Sequence, residues 1–270
     1  MNIAKLTMVP DVLAEGYQVA EAPRADGTGG VYFSDAKGGG VFHWTEAGVR
    51  TVLADRVGVG GMALHADGGL VVGGPDLAHV SANGDVRPLL DLPAGAAAWN
   101  DMCALEDGTL MVGALPDADA GGGSGTFIAF DGTTSTLLLG DVAFPNGCGT
   151  SLDGNVLFAC DYLTGEVRAR EHGHWRSFGK TPAGEADGLA VDSEGGVWVA
   201  QPRDASIVRL SPDGVLDHVI ELPGWHVTSL AFDGAAMYLT TAGVIPGSNG
   251  GALLRVASPV SGRIHLKTTV

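Results

Sequence analysis

Residues 187–200 read DGLAVDSEGGVWVA, and this stretch contains the unit from which the chain is built. Small and apolar residues lead to a turn glycine, Gly195, and apolar side chains then recur at alternate positions, Val197 and Val199. Alternation with a period of two is typical of a strand with one buried face. The glycine supplies the positive φ that a tight hairpin requires.

The same unit recurs along the chain, which indicates a repeat fold. Equivalent turn glycines stand at Gly29, Gly68, Gly108, Gly154, Gly195 and Gly234. Second hairpin signals such as Asn83-Gly84 and Asp213-Gly214 indicate four short strands in each repeat. Helical periodicity is absent, and a period of about 40 residues is the length of a propeller blade. We therefore predict an all-β chain, a single six-bladed β-propeller domain over residues 1–270, whose N-terminal strand closes the last blade so that no edge is left bare.

Composition restricts the partners. The chain has 31 acidic and 15 basic residues, a net charge of −16. Nucleic acid and anionic membrane surfaces attract the opposite charge, so we expect neither as a partner. No apolar run is long enough for a signal sequence or a membrane span, which predicts a cytoplasmic protein. Cys103, Cys148 and Cys160 form no C-x-x-C pair and are expected to be buried thiols.

Polar residues share one phase of the repeat, eight residues before each turn glycine. That phase holds Glu21, Gly60, Asn100, Asn146, Asp187 and His226. The innermost strands of a propeller line its channel, so these residues are predicted to form a ring, holding either ordered water or a cation. Two buried carboxylates resist ionisation beside each other, and a cation resolves that conflict. The oxygen donors suit Ca²⁺ and also fit Mg²⁺ or Mn²⁺, whereas His226 would either favour a softer metal such as Zn²⁺ or contact substrate.

Several of these segments carry a family resemblance. The strings Glu21-Ala-Pro-Arg24, Pro145-Asn-Gly147 and Asp187-Gly-Leu-Ala-Val-Asp192, in this order and spacing, resemble the gluconolactonase/regucalcin family of the senescence marker protein type, over about residues 13–260. The resemblance implies one divalent metal held by Glu21, Asn146 and Asp187. It also implies that Asn100 contacts the substrate or water at the metal, and that Asp187 acts as general base.

Sugar-lactone members of the family carry an arginine two residues before the asparagine that matches Asn100. This chain has Ala98 at that position. We predict a metal-dependent hydrolase that opens a lactone or small ester, with Asp187 and Asn100 as catalytic residues and Ca²⁺ as the first choice of metal. The predicted substrate contacts are Asn100, His226, Trp99 and Trp225, although both tryptophans also suit packing between blades. An isomerase or dehydratase using the same metal and a calcium-binding protein without turnover remain the alternatives.

Other polar residues are assigned structural roles. Asp35 and Asp161 end strands and are predicted to cap backbone N–H groups. Asp101 points away from Asn100 on the same strand and is predicted to be structural. Histidines other than His226, among them His65 and His79, share no phase and are expected on the surface or in the core.

Overall fold

Six β-sheets follow one another around a central channel in the computed structural model, which describes residues 3–119, 121, 123–263 and 265–270. The predicted six-bladed β-propeller is confirmed. All six turn glycines have positive φ, between 58° and 94°, as the hairpin signals required. No helix in these ranges has the length and apolar character needed to cross a membrane.

Blades one to four each contain four consecutive antiparallel strands, beginning with the strand at the channel. Blade one contains β3 (Ala20–Ala25), β4 (Val31–Asp35), β5 (Val41–Thr45) and β6 (Gly48–Leu53). Blade two contains β7 (Met62–His65), β8 (Leu70–Val72), β9 (Asp76–Val80) and β10 (Val86–Asp91). Blade three contains β11 (Ala96–Ala104), β12 (Leu110–Pro116), β13 (Gly125–Phe130) and β14 (Ser135–Val142). Blade four contains β15 (Pro145–Thr150), β16 (Leu157–Asp161), β17 (Glu166–Glu171) and β18 (His174–Lys180).

The N-terminal segment contributes to the last two blades. Blade five contains β19 (Leu189–Val191), β20 (Val197–Gln201), β21 (Ser206–Leu210) and β22 (Leu216–Glu221), with a short 3₁₀ helix at Pro202–Asp204. Blade six contains β23 (Val227–Thr241) and β24 (Gly251–Gly262). The strand β2 (Asp11–Tyr17) pairs antiparallel with β24, which confirms the predicted closure of the last blade. An additional strand, β1 (Ala4–Thr7), pairs parallel with β22 of blade five, which the sequence analysis did not predict.

The strand β23 folds back on itself, so blade six also has an inner hairpin. The hydroxyl groups of Thr228 and Thr240, near its two ends, are 2.9 Å apart, and the bend lies at Gly234 with φ +58°. Thr228 also donates to the carbonyl oxygen of Ala20 at 2.7 Å. This bond joins the inner strand of the last blade to that of the first and closes the ring.

The core lies between blades. Six clusters of buried apolar residues each combine side chains from two neighbouring blades, such as Trp198 and Phe232 between blades five and six. The three cysteines are buried and free, as expected. Because every cluster needs two blades, removing one blade would expose two apolar faces.

The C-terminal segment closes the end of the channel opposite the pocket described below. The strand β25 (Lys267–Thr268) pairs parallel with β7 on its channel side. Thr268 donates to the Gly108 carbonyl oxygen at 2.7 Å, and Val270 packs into the cluster between blades two and three. A cavity of about 40 Å³ remains beside this segment, lined by residues that include Cys103, Cys148 and His265.

Candidate functional site

One end of the channel opens into a pocket of about 340 Å³. Its lining residues come from five of the six blades and from the connections between blades. They are Val19, Glu21, Ala36, Gly60, Asn100, Phe144, Asn146, Tyr162, Asp187, Pro202, Thr228, Ala242, Val244 and Ile245. Five of the six residues at the polar phase of the repeat therefore meet in this pocket: Glu21, Gly60, Asn100, Asn146 and Asp187.

Glu21 and Asp187 place two buried carboxyl groups in the pocket. Burial, together with the Asp101 carboxylate, raises the pKa of Glu21 to about 8, although the Ala22 N–H donates to Glu21 Oε2 at 3.0 Å. Burial, followed by the charges of Glu21, Asp101 and Glu185, raises the pKa of Asp187 well above its ordinary value. Each carboxylate therefore resists ionisation in the absence of a cation.

A glycine places Asn146 beside Asp187. The Gly147 N–H donates to the Asp187 carbonyl oxygen at 3.1 Å, joining the inner edges of blades four and five. A Cβ at position 147 would lie 2.5 Å from that oxygen, so only glycine permits this approach. Asn146 is 9% exposed, and its side chain acts to lower the pKa of the neighbouring Asp187 carboxyl group, against the larger effect of burial. The Pro-Asn-Gly sequence thus supplies both a polar side chain at the pocket and the space that it needs.

A second glycine explains why one position at the polar phase carries no side chain. Asn100 Nδ2 donates to the Pro145 carbonyl oxygen at 2.9 Å, which leaves Asn100 Oδ1 as an acceptor. A Cβ at Gly60 would overlap this Oδ1. Gly60 therefore makes room for the Asn100 amide at the pocket wall.

A buried cation beside the pocket was missed by the sequence analysis. Arg24 Nη2 donates to Asp101 Oδ1 at 2.9 Å and to the Met102 carbonyl oxygen at 2.8 Å. Both charged side chains are 4% exposed. Asp101 has the predicted structural role, since it is the ion-pair partner of Arg24. In the described part of the chain, Glu21 and Asp187 form no ion pair with a cationic side chain.

Three predicted substrate contacts are not among the lining residues. Trp99 is 1% exposed and packs in the cluster between blades two and three. Trp225 packs against the cluster between blades five and six. The His226 ring is half-buried, and its Nδ1 lies 2.6 Å from the carbonyl oxygen of Pro202, which does line the pocket. The structure thus places the tryptophans in interblade packing and His226 against Pro202 of the pocket wall.

The rest of the wall is largely apolar and comes from residues that the sequence analysis did not single out. Phe144, Val244 and Ile245 belong to this wall. Tyr162 adds a hydroxyl group whose pKa rises to about 12 because of burial and the neighbouring Glu185 and Asp187 carboxylates. A sequence signal for part of this set exists, since Ala36, Tyr162, Pro202 and Ala242 all follow a turn glycine by seven or eight residues.

The predicted carboxylate caps hold this wall in place. Asp35 accepts hydrogen bonds from the N–H groups of Gln18 at 2.9 Å and Val19 at 3.0 Å. Asp161 accepts equivalent bonds from Ala143 at 3.0 Å and Phe144 at 3.1 Å. Each cap ties the end of a blade's second strand to the segment that enters the same blade, which positions Val19 and Phe144 at the pocket.

The pocket fits a divalent cation. Asp187 Oδ1 is buried and has no hydrogen-bond partner in the described part of the chain. Such an atom is costly unless something compensates it. Glu21, Asn146 and Asp187 offer two carboxylates and an amide oxygen, a donor set suited to a hard divalent metal.

Comparison with known proteins identifies the family of this chain. Residues 19–243 match the family described as the SMP-30/Gluconolactonase/LRE-like region. The chain belongs to the SMP-30/gluconolactonase/LRE-like family. The resemblance inferred from the quoted motifs is thereby confirmed.

One lactonase relative and one solved structure cover most of the chain, and a second lactonase covers part of it. The pentonolactonase XacC of Haloferax volcanii is 28% identical over 269 residues, which cover 89% of this chain and 90% of the relative. The L-arabinolactonase of Azospirillum brasilense is 33% identical over 123 residues, or 42% of this chain and 41% of the relative. A calcium-binding regucalcin structure from Agrobacterium tumefaciens superposes with a TM-score of 0.87 at 20% identity, covering 99% of both chains, and shows the shared fold.

Proposed function

We propose that this protein is a metal-dependent hydrolase that opens a lactone, or a related small ester, in the channel pocket. The observation that carries the proposal is the convergence of Glu21, Asn146 and Asp187 on one cavity, where Asp187 Oδ1 is buried without a partner. The lactonase relatives support the same reaction class. Water adds to the carbonyl carbon, the ring C–O bond breaks, and a hydroxy acid is released.

The metal is proposed to be Ca²⁺, held by Glu21, Asn146 and Asp187. A bound divalent cation supplies Lewis acidity, which polarises the carbonyl group and lowers the pKa of water. The donor set of oxygens favours a hard cation over zinc. His226 is assigned neither role in this proposal, because it is not among the residues that line the channel pocket.

The chain's own residues have distinct tasks in this reaction. Asp187 accepts the proton from the attacking water at Oδ1, the carboxylate oxygen without a partner. Asn146 lies beside Asp187 and favours its ionised form. Asn100, whose Nδ2 is engaged with Pro145, offers Oδ1 as an acceptor for a substrate hydroxyl group or for water.

The wall of the pocket bears on the substrate class. Phe144, Val244 and Ile245 present apolar surface, and Ala98 provides no guanidinium group. Apolar surface discriminates by about 1–3 kcal/mol per methylene and gains little from added hydroxyl groups. We therefore propose a preference for an alkyl-substituted γ- or δ-lactone over the polyhydroxylated gluconolactone.

A pH-indicator assay with a panel of lactones tests both parts of the proposal. Acid release that stops on chelation and returns with Ca²⁺ supports the hydrolase, and Ca²⁺ binding without any acid release supports the alternative of a calcium-binding protein. Comparison of kcat/KM for gluconolactone and an alkyl-substituted lactone tests the substrate class. A higher value for gluconolactone would contradict the apolar preference while leaving the hydrolase intact.

A further inference from the structure

We propose a second metal site, for Zn²⁺, on blade two and separate from the channel pocket, formed by His65, Asp67 and His79. The three residues each present a ligand atom, and these atoms lie within 4.8 Å of one another. None of them lines the channel pocket. This site is independent of the proposed lactone hydrolysis, because it shares no residue with it.

The hairpin of blade two brings the three ligands together. His65 ends β7, Asp67 lies in the turn that follows, and His79 lies on β9 opposite Val71 of the intervening strand β8. The turn is held by the Gly69 N–H, which donates to Asp67 Oδ1 at 2.8 Å. The imidazole rings of the two histidines have centroids 4.4 Å apart and meet edge to face. Both rings therefore converge on one carboxylate that is held by its own turn.

His65 Nδ1 faces a donor and an acceptor of Asp67 at the same time. The Asp67 backbone N–H donates to Nδ1 at 3.2 Å, so this nitrogen acts as an acceptor there. Nδ1 also lies 2.7 Å from Asp67 Oδ1. A nitrogen lone pair and a carboxylate oxygen repel each other at this distance unless a proton or a metal ion lies between them.

His79 supplies the second, independent observation. Its Nε2 is buried and has no hydrogen-bond partner in the described ranges, although it lies 3.0 Å from Asp67 Oδ2. The residue is 8% exposed, so water does not readily replace a partner. An unpartnered imidazole nitrogen beside a carboxylate is a ready metal ligand.

The spacing and the donor types fit Zn²⁺. Bonds of about 2.0–2.1 Å in a tetrahedron place ligand atoms about 3.3 Å apart. This spacing falls within the 4.8 Å that contains one ligand atom from each of the three residues. Two imidazoles and a carboxylate are ligands that zinc accepts, whereas Ca²⁺ prefers a set composed of oxygens. The Asp67 side chain is 45% exposed, which lets water take the fourth position.

Lys267 and Asp26 line the groove beside His65, and their opposite charges have opposite effects on the electrostatic potential at the proposed site. Their formal charges cancel, so the charge that a cation meets at the site comes from Asp67.

Zinc titration of full-length variants separates this site from the channel pocket. The background is Asp187→Ala, which removes a channel ligand. We expect this variant to bind one equivalent of Zn²⁺ by calorimetry, and to lose that equivalent when His79→Gln or, separately, His65→Gln is added. Co²⁺ in place of Zn²⁺ should give the visible absorption of a low-symmetry site in the first variant and none in the doubly substituted ones.

A matched control is available in blade one. His43 Nε2 lies 2.8 Å from Asp26 Oδ2, a histidine–aspartate pair that the described residues do not complete with a third ligand. His43→Gln in the same background should leave the zinc equivalent in place. Unchanged zinc binding in both His79→Gln and His65→Gln, with melting curves showing that the variants are folded, would overturn the proposal. Absence of zinc binding in Asp187→Ala itself would also overturn it and would mean that a proton alone bridges the cluster.

Discussion

Arg24 and Asp101 form a buried ion pair, with 2.9 Å between Nη2 and Oδ1, that joins blade one to blade three and bypasses the blade between them. The pair lies beside Glu21 of the channel pocket, and the charges of Arg24 and Asp101 both act on this carboxyl group. A buried pair of this kind contributes little net stability relative to apolar packing, but loss of one partner leaves an uncompensated charge.

Replacement of Arg24 tests this relationship. Arg24→Met should lower the free energy of unfolding by about 3 kcal/mol, because Asp101 would remain buried without its cation. Urea denaturation measures the effect. The double variant Arg24→Met/Asp101→Leu removes both charges and should recover a large part of the loss. A double variant as unstable as the single one would show that the pair acts through packing and not through charge.

Gly60→Ala tests the steric origin of the missing side chain in the polar ring. The added Cβ would overlap Asn100 Oδ1, so the amide must move. Overpacking of this kind lowers the free energy of unfolding by about 1–3 kcal/mol. Because Asn100 lies at the pocket, we also expect kcat to fall, by more than the loss of folded protein explains. Gly140→Ala is the control, since a Cβ there meets nothing within 4 Å. If the two variants were equally active, Asn100 would have no role in the reaction.

Asp187→Ala should abolish tight binding of Ca²⁺ at the channel site, because it removes a carboxylate from a set of three ligands. Calorimetry with Ca²⁺ and Mn²⁺ measures the loss. Asp153→Ala, which changes an exposed turn carboxylate, is the control. The metal-free Asp187→Ala protein should also be no less stable than the parent at pH 8, since the buried carboxyl group that it loses has a raised pKa. Unchanged affinity for both metals would contradict the assignment of Asp187.

The imidazole of His265 is expected to make the free energy of unfolding depend on pH. Burial, and then the charges of Arg24 and Arg263, lower the pKa of this imidazole well below its ordinary value. The unfolded chain therefore binds a proton near pH 6.5 that the folded chain does not bind, so stability falls as the pH drops below that value. One pH unit lower, the loss is about 1.4 kcal/mol.

Chemical denaturation of the parent and of His265→Gln, both without metal, isolates this effect. When the pH is lowered from 7.5 to 5.5, the unfolding free energy of the parent should fall by more than that of His265→Gln. A difference that stays constant with pH would mean that His265 is accessible to protons in the folded state.

Deletion of residues 1–15 tests ring closure. It removes β1 and most of β2, which leaves the outer edge of β24 unpaired, so we expect a lower melting temperature or aggregation. Deletion of residues 1–9 is the control because it removes only β1 from blade five. Light scattering and thermal melting measure both outcomes. A monomeric 1–15 deletion with the parent's melting temperature would contradict the role of β2.

Local sequence determined the architecture and much of the polar ring. The turn glycines, with alternate apolar residues after them, specify each hairpin through φ and through the period of the strand, both of which are short-range properties. Five of the six residues at the polar phase meet in the pocket because equal positions in equivalent blades lie at equal depths along the channel. The caps formed by Asp35 and Asp161 are likewise local.

Only the tertiary structure decided which side chains complete that pocket. His226 shares the phase of the ring, yet its Nδ1 faces the Pro202 carbonyl oxygen, and Trp99 is turned into an interblade cluster. Arg24 reaches Asp101 across 77 residues of sequence. These contacts join residues of different blades, so they depend on how neighbouring blades are packed in the closed ring. A repeat pattern specifies only the strand pairing within each blade, and therefore could not predict them.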